Sequence, residues 1–294
     1  MCRNKIRFGL AGILALTISS PLFAADMPMK APPLTPAAAV YDWTGVYVGG
    51  EVGGKWTRDN WNTDCVDAGG FPLGTCGSLV SLLVFPGAPD STAGHTFNTS
   101  GLRAGVYAGL DVQVSPLWVV GLEGDWGAYK QSSTVAGILG CSTGACAGLA
   151  PGTFSVSGDS TSVKFGDDYS VRVRAGFLVT PTVLAYGTGG IAFQQISTSL
   201  ACTGPTPTFA GSPACLFNHA ETQNNTLLGY TVGGGLEWRV AQNWLLRGEY
   251  RYSNFGTLRS TFFGNSGDLE VSANQKVSTQ IATGGIAYFF PVGH

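Results

Sequence analysis

The chain has 294 residues, of which 12% are charged and 43 are glycine, and its formal net charge is −2. Globular chains have about 25% charged residues and about 7% glycine, so this composition excludes a charge-rich disordered protein. With 16 Lys and Arg against 18 Asp and Glu, the chain has no basic surplus to neutralise phosphates, and nucleic acid is not expected as a partner. After the N-terminal segment, no apolar run reaches the ~18 residues of a membrane helix. These limits leave an all-β protein, either globular or inserted in a membrane as a barrel.

Residues 1–24 have the pattern of a cleaved signal peptide. Basic residues near the start precede an apolar stretch over 8–18, and Ala24 and Ala25 offer small residues for cleavage. The apolar stretch is too short to span a bilayer, so we expect removal of this segment and export of the mature chain. The following residues, 25–43, are rich in proline and favour an extended polyproline II conformation. We interpret them as a periplasmic spacer.

The cysteines predict disulfide bonds in an oxidising compartment. Cys2 would leave with the signal peptide, and the six others occur as three pairs close in sequence, each within a polar stretch. We expect three disulfides that are each local to one loop, out of the 15 pairings that six cysteines permit. A zinc site is not favoured, because no C-x-x-C pair occurs. The six residues are Cys65, Cys76, Cys141, Cys146, Cys202 and Cys215.

From residue 44 onward, hydrophobicity alternates with the period of two that is typical of β-strands. Some predicted connections are turns of two or three residues, at 115–116, 180–182 and 241–243. The others, at 57–98, 131–166, 198–226 and 258–276, exceed the ~12–15 residues usual in compact domains, and they all fall at one end of the sheet. The eight predicted strands are 44–56, 99–114, 117–130, 167–179, 183–197, 227–240, 244–257 and 277–290.

Six of these strands segregate their side chains sharply between two faces. One face carries apolar residues and glycine without a single charge, whereas the opposite face carries seven acids and seven bases. The phase of strands 183–197 and 277–290 stays open. The acids are Glu51, Asp111, Glu123, Asp125, Asp168, Glu237 and Glu249, and the bases are Lys55, Arg103, Arg172, Arg174, Arg239, Arg247 and Arg251.

The spacing of aromatic residues on the apolar face favours a membrane barrel over a soluble one. In three strands, two aromatic residues stand eight positions apart, which is about 26 Å along a strand and ~20 Å after the usual tilt. This distance approaches the separation of the two aromatic girdles of a membrane barrel, whereas a soluble core gains nothing from two fixed heights. The pairs are Trp118 and Trp126, Tyr230 and Trp238, and Trp244 and Tyr252.

Four segments resemble a known family: Ala25 to Pro28 with its proline cluster, Trp43 to Gly50, Tyr186 to Ala192, and Trp244 to Tyr252. In this order they are similar to RopB-like outer-membrane β-barrel proteins of alphaproteobacteria, also called outer-membrane immunogenic or porin-family proteins. The resemblance implies an eight-stranded antiparallel up-and-down transmembrane β-barrel of the OmpA/OmpX-like architecture. The barrel would cover 44–290 with a tail at 291–294, lie in the outer membrane and have both termini in the periplasm.

The interior of an eight-stranded barrel can be filled by side chains, so we expect the fourteen charged residues to form an ion-pair plug. The expected role is then structural, in envelope integrity and surface interaction. Its partners would be outer-membrane lipid and lipopolysaccharide, together with host or neighbouring surface molecules reached through the loops. We expect no cofactor.

Two other functions stay open, and an enzyme is not expected. A small polar channel would use arginines such as Arg172 and Arg247 at a constriction that faces the lumen acids. A haem-binding barrel would use His95 or His219, both in long connections. Catalysis by a nucleophile and a base is not expected, because none of the three histidines lies on an assigned strand face.

Overall fold

The computed structural model describes residues 42–68, 94–136, 160–202, 219–263 and 269–292. In these ranges the chain forms nine strands, and no helix is long and apolar enough to cross a membrane. The strands are β1 (Gly45–Ala68), β2 (Gly94–Gln113), β3 (Trp118–Ala128), β4 (Gln131–Ala136), β5 (Ser160–Thr180), β6 (Val183–Cys202), β7 (His219–Ala241), β8 (Trp244–Phe262) and β9 (Leu269–Pro291).

The strands form one antiparallel sheet that closes on itself. The first and last strands pair along their length, from Val46 opposite Phe290 to Ala68 opposite Leu269. Strands β3 and β4 both pair with β5 and are separated by residues 129–130. Together they occupy one position in the barrel wall, and each such position is called a stave below. The closed sheet therefore has eight staves, and the predicted up-and-down barrel is confirmed.

The strands are strongly staggered around the barrel. Following the paired residues once around the sheet returns to β1 ten positions further along, at Trp56 instead of Val46. For eight staves this stagger corresponds to a strand tilt of about 40°, within the range of closed barrels. The path runs through Val46, Leu110, Leu122, Val173, Gly189, Val232, Tyr252, Gln280 and Trp56.

The two faces of the wall differ in chemistry as the alternation predicted. On the outer face, apolar side chains such as Val106 and Leu236 are 54% and 58% exposed. On the inner face, charged side chains such as Arg103 and Glu51 are 0% and 5% exposed. Apolar residues that are exposed in this way fit a wall surrounded by hydrocarbon.

The structure also assigns the two strands whose phase stayed open. In β6 the even positions, such as Leu184 and Gln194, are buried in the lumen, and in β9 the odd positions, such as Ile281, are. The sequence did not reveal this because apolar residues occupy both faces. Leu184 and Ile281 point inward, whereas Ile191 and Ile286 are exposed on the outer face.

The predicted strands ended too early on the side of the long connections. β1 continues to Ala68 instead of residue 56, and β5 begins at Ser160 instead of 167. The prediction followed the apolar outer face, but beyond Trp56 the exposed positions carry polar residues such as Arg58. Backbone pairing nevertheless continues there, because it does not depend on the outward side chains. With the tilt included, β1 extends about 30 Å beyond Trp56.

Two irregularities in pairing shift the alternation within a strand. The register of β5 against β6 shifts between Phe165 and Asp168, and that of β8 against β9 shifts between Asn254 and Thr257. In β5, odd positions up to Phe165 are buried, whereas even positions are buried from Asp168 onward. A bulge re-aims the following side chains, so a constant period of two fails across it.

Aromatic residues on the outer face form two rings at the heights expected from their spacing. Trp118 packs against Phe177 across the strand pair, with ring centroids 5.6 Å apart, and Trp244 packs against Tyr288 at 5.2 Å. The lower ring, next to the short turns, comprises Trp118, Phe177, Trp238, Trp244, Tyr288 and Phe290. The upper ring, next to the long connections, comprises Trp56, Trp126, Tyr169, Tyr230 and Tyr252.

Gly233 of β7 faces the lumen, and the structure leaves little room for a side chain at this position. A β-carbon at Gly233 would lie 2.5 Å from the carbonyl oxygen of Tyr250 and 2.8 Å from Cγ of Arg251. The neighbouring strand therefore occupies the space that a side chain would need.

The orientation of the wall predicts that the cost of a new charge depends on its height. Val106→Arg, between the two rings, should lower the free energy of unfolding by about 2–4 kcal/mol, because the outward guanidinium would enter hydrocarbon. Asn60→Arg is the matched control, since Asn60 is exposed on β1 above the upper ring, and its effect should be about 0–1 kcal/mol. Denaturant titration of the barrel in lipid vesicles measures both. Equal costs would contradict the assignment of the outer face.

Candidate functional site

Fourteen ionised side chains meet in the middle of the barrel lumen. Alternation along each strand points them inward, and they are only 0–8% exposed. They come from six of the nine strands, β1, β2, β3, β5, β7 and β8, so distant parts of the chain bring them together. They are Glu51, Lys55, Arg103, Asp111, Glu123, Asp125, Asp168, Arg172, Arg174, Glu237, Arg239, Arg247, Glu249 and Arg251.

Arg103 is the centre of the upper half of this charged layer. Its guanidinium pairs with Glu51, lies 2.5 Å from Oδ2 of Asp125 and donates from Nε to Oδ1 of Asp168 at 2.9 Å. Glycine at position 127 leaves room for this guanidinium, which would overlap a β-carbon there. One arginine thus joins three carboxylates that are carried by three different strands.

A lysine completes the upper half of the charged layer. Nζ of Lys55 donates to Oδ2 of Asp168 at 2.7 Å and also to the side-chain carbonyl of Gln194. It lies 4.6 Å from the ring centroid of Tyr129. The buried ammonium is therefore surrounded by a carboxylate, an amide oxygen and an aromatic face, which together replace its hydration.

Glu123 is shared by two arginines in the lower half of the charged layer. The guanidinium groups of Arg172 and Arg247 both pair with this carboxylate. Arg172 also bonds Oε1 of Glu249 at 2.7 Å, and Arg247 bonds Oε2 of Glu51 at 2.8 Å. Because Glu51 also pairs with Arg103, the upper and lower halves form one continuous network.

Two arginine–carboxylate pairs in the layer are bidentate. Arg174 bonds Glu237 with distances of 3.0 and 2.8 Å, and Arg251 bonds Asp125 with distances of 2.8 and 3.0 Å. Parallel bonds of this kind match the planar guanidinium fork to a carboxylate. They fix the orientation of both partners as well as their separation.

Tyrosines connect the network to the wall below it. The hydroxyl of Tyr47 donates to Oε2 of Glu123 at 2.8 Å, and that of Tyr186 donates to Oε2 of Glu249 at 2.6 Å. The guanidinium of Arg247 lies 3.5 Å from the ring centroid of Tyr107. The carboxylates therefore keep further hydrogen bonds besides their ion pairs, as buried charges require.

Asp111 and Arg239 lie at the lower edge of the charged layer. The carboxylate of Asp111 lies 3.6 Å from Nε of Arg174 and has no hydrogen bond to another described residue. Arg239 donates from Nη1 to the carbonyl of Asp42 at 2.8 Å and lies 4.3 Å from the ring centroid of Phe289. Thus Arg239 is oriented by backbone and aromatic contacts near the short turns.

Apolar layers lie in the lumen below and above the charges, and the sequence interpretation missed both. Part of their signal was available, because continuing the alternation of β1, β2 and β3 places Trp61, Phe97 and Tyr129 inward. The bulges of β5 and β8 reverse the alternation before Phe165 and Phe262, so those residues could not be found in this way. The lower layer comprises Trp43, Tyr47, Tyr107, Val119, Leu178, Leu184, Leu245, Ala287 and Phe289. The upper layer comprises Trp61, Phe97, Tyr129, Val163, Phe165, Ala192, Ile196, Leu200, Leu227, Phe255, Phe262, Phe263, Ala273 and Val277.

The other sequence-predicted residues are not brought into the lumen site. His95 packs its ring against Phe97, with centroids 4.7 Å apart, and the side chain of His219 lies outside the described residues. In the part of the chain that the structure describes, no group of three His, Cys, Asp or Glu residues is arranged to hold a metal ion.

The predicted disulfides fall on parts of the chain that the structure leaves out. The backbones of Cys65 and Cys202 lie near the upper ends of β1 and β6, but their side chains are outside the described residues. Cys76, Cys141, Cys146 and Cys215 lie outside the described ranges altogether. The pairing of the six cysteines stays a prediction.

Comparisons with known proteins agree with this architecture. The model of the outer membrane protein beta-barrel domain family matches residues 34–290. The 31 kDa outer-membrane immunogenic protein of Brucella melitensis is 30% identical over 253 residues, which cover 84% of this chain and 86% of that protein. The 25 kDa outer-membrane immunogenic protein of Brucella abortus is 27% identical over 278 residues, covering 94% and 93% of the two chains.

A solved structure adds only a weak likeness. The outer membrane protein OprG of Pseudomonas aeruginosa aligns with 86% of this chain and 99% of its own, with 9% identity and a TM-score of 0.47, and carries no argument about function. The family match and the Brucella relatives confirm the resemblance found in the sequence. The chain belongs to the outer membrane protein β-barrel family, in the group of the outer-membrane immunogenic proteins of alphaproteobacteria.

Proposed function

We propose that this protein is a closed structural barrel of the outer membrane, which supports the envelope and presents its long connections at the cell surface. One observation carries the proposal: the lumen is filled along its height by an apolar layer, a charged layer and a second apolar layer. A barrel of eight staves has an interior just wide enough for side chains to fill, so filled layers at three heights favour a closed lumen over a water-filled channel.

The arginines expected to line a channel support closure instead. Arg172, Arg174, Arg247 and Arg251 each contact at least one carboxylate within 3.0 Å. A permeating anion would have to replace these intramolecular partners. A transport route would also have to cross the apolar layers, where an ion loses its hydration without compensation.

We further infer that the short turns face the periplasm and the long connections face outward. Both ends of the described barrel lie at the short-turn end, where the backbone amide of Val292 donates to the carbonyl of Thr44 at 3.2 Å. Short periplasmic turns and long extracellular loops are the usual arrangement in this class of barrel. This orientation places both chain termini in the periplasm.

The proposed partners follow from this orientation. The wall contacts outer-membrane lipid and lipopolysaccharide, and the long connections face host or neighbouring surface molecules. The Brucella relatives are named outer-membrane immunogenic proteins, which supports surface exposure for this chain as well. The proposal includes no catalytic step and no cofactor.

A closed lumen predicts that the folded barrel does not conduct ions across a bilayer. Purified wild-type protein in planar bilayers should give no stepwise current, because three side-chain layers block the lumen. Insertion is checked by heat-modifiable gel migration of the same sample, and a known porin serves as the conducting control. Stepwise currents from the wild-type protein that Arg247→Ala alters would contradict the plug.

The charged layer predicts a strong dependence of stability on its central arginine. Arg103→Met should lower the free energy of unfolding by about 3–5 kcal/mol, because it leaves the carboxylates of Glu51, Asp125 and Asp168 without a shared cation. Arg58→Met, at an exposed position on the same barrel, is the matched control and should change stability little. Urea titration in vesicles measures both variants. If the two were equally stable, the network would not hold the barrel.

A further inference from the structure

Among the residues that the structure describes, the Lys and Arg side chains outside the lumen form a belt above the upper aromatic ring. Five of the described cations lie outside the lumen, and all five are exposed on the outer wall above the upper aromatic ring. In the described ranges, no Lys or Arg is exposed near the lower ring. The upper cation belt consists of Arg58, Lys130, Lys164, Arg259 and Lys276.

The height of the belt places it among lipid headgroups. Lys130 follows Trp126 of the upper ring by four positions, and Arg58 follows Trp56 by two. With the strand tilt, four positions correspond to about 10 Å. The headgroup region adds several ångströms to the hydrocarbon core on each side, so these side chains lie where lipid phosphates and carboxylates are found.

The cations of the belt are neighbours of like charge. Lys164 pairs in register with Ser132, two positions from Lys130, so the two lysines are diagonal neighbours on one face. Diagonal neighbours on a sheet are close enough for long side chains to interact, and like charges there repel. Neither lysine has an ion pair with any acid in the described part of the chain. A bound anion would remove this repulsion.

A cavity of about 640 Å³ opens between the two lysines. It lies where the stave of β3 and β4 is interrupted, opposite the bulge of β5. Lys130 and Lys164 supply its positive charge, while hydrogen-bonding groups come from the side chains of Ser132, Gln195, Asn224 and Thr226. Ammonium groups combined with amides and hydroxyls match an anionic group attached to a sugar.

The wall beneath the cavity continues as an apolar surface. Leu228 lies two positions below Thr226 on β7 and is 61% exposed, and Ile191 on β6 is 49% exposed. Acyl chains of a molecule whose head group occupies the cavity would run along these side chains. This continuity favours a lipid over a free anion.

We propose that the Lys130–Lys164 cavity binds the phosphate or carboxylate group of an anionic glycolipid in the outer leaflet. The two ammonium groups pair with the anion, the surrounding amides and hydroxyls bind the sugar, and the wall below receives the acyl chains. This site rests on the proposed orientation, in which the upper ring faces the cell surface.

The test is a binding titration with the folded full-length barrel in phosphatidylcholine nanodiscs. The probes are diphosphoryl lipid A, lipid A without its phosphates, and inorganic phosphate, with bound lipid counted by native mass spectrometry. Wild-type protein should bind diphosphoryl lipid A, and K130Q/K164Q should bind it about tenfold more weakly or worse. K130R/K164R keeps the charge and should retain binding. R259Q/K276Q removes two belt cations away from the cavity and should also retain it.

Several results would overturn the site. They are unchanged binding by K130Q/K164Q, equal binding of the phosphate-free lipid A, or inorganic phosphate bound as tightly as diphosphoryl lipid A. Loss of binding in R259Q/K276Q but not in K130Q/K164Q would also exclude this cavity. The closure proposal and the lipid site can be tested separately. A barrel that binds lipid A but conducts ions would contradict only the closed lumen. A barrel that does not conduct ions and does not bind lipid A would contradict only the lipid site.

Discussion

The pairing of buried charges inside a narrow closed sheet is the constraint on which the rest of the structure depends. Fourteen charged groups are buried in the lumen, where an unpaired charge costs several kcal/mol. Each arginine is satisfied only if strands from distant parts of the sequence stand in one register, as when Arg103 joins Glu51, Asp125 and Asp168. A slip of one residue would turn these charges toward lipid and the valines toward the lumen. The ion pairs of the network therefore form only when the strands stand in the correct register.

The apolar layers above and below the charged layer help to stabilise its ion pairs. The lower layer, which includes Trp43 and Phe289, and the upper layer, which includes Trp61 and Phe262, lie between the charges and the two ends of the barrel. Interactions between charges strengthen when water is excluded, so the layers reinforce the ion pairs that they cover. The upper layer also explains how the strands continue far beyond the membrane. There the wall no longer has lipid on its outside, and its cohesion comes from a core on its inside.

Much of the fold could be predicted from the sequence, because hydrocarbon and lumen demand opposite chemistry on alternate residues. This contrast identified the faces of six strands and the fourteen charged residues of the central layer, but it missed Asp59, which is buried higher in the lumen beside Gln275. The sequence prediction failed where the two faces of a strand do not differ in polarity. Beyond Trp56 both faces can be polar, so the strand ends were placed too early, and in β6 Leu184 and Ile191 are apolar on opposite faces. The partners of each charge depend on a register set by pairing across the whole chain, and the space beside Gly233 depends on the backbone of β8. Neither can be read from local spacing.

The pairing of the first strand with the last has a consequence for biogenesis. β1 finds its second neighbour only when β9 is present, and the residues they join, such as Val46 and Phe290, stand at opposite ends of the barrel sequence. Until then both outermost strands expose unpaired amide and carbonyl groups, which invite association with other chains. Pairing of β1 with β9 therefore removes both exposed edges of the sheet at once, so a chain that lacks either strand would keep an open edge.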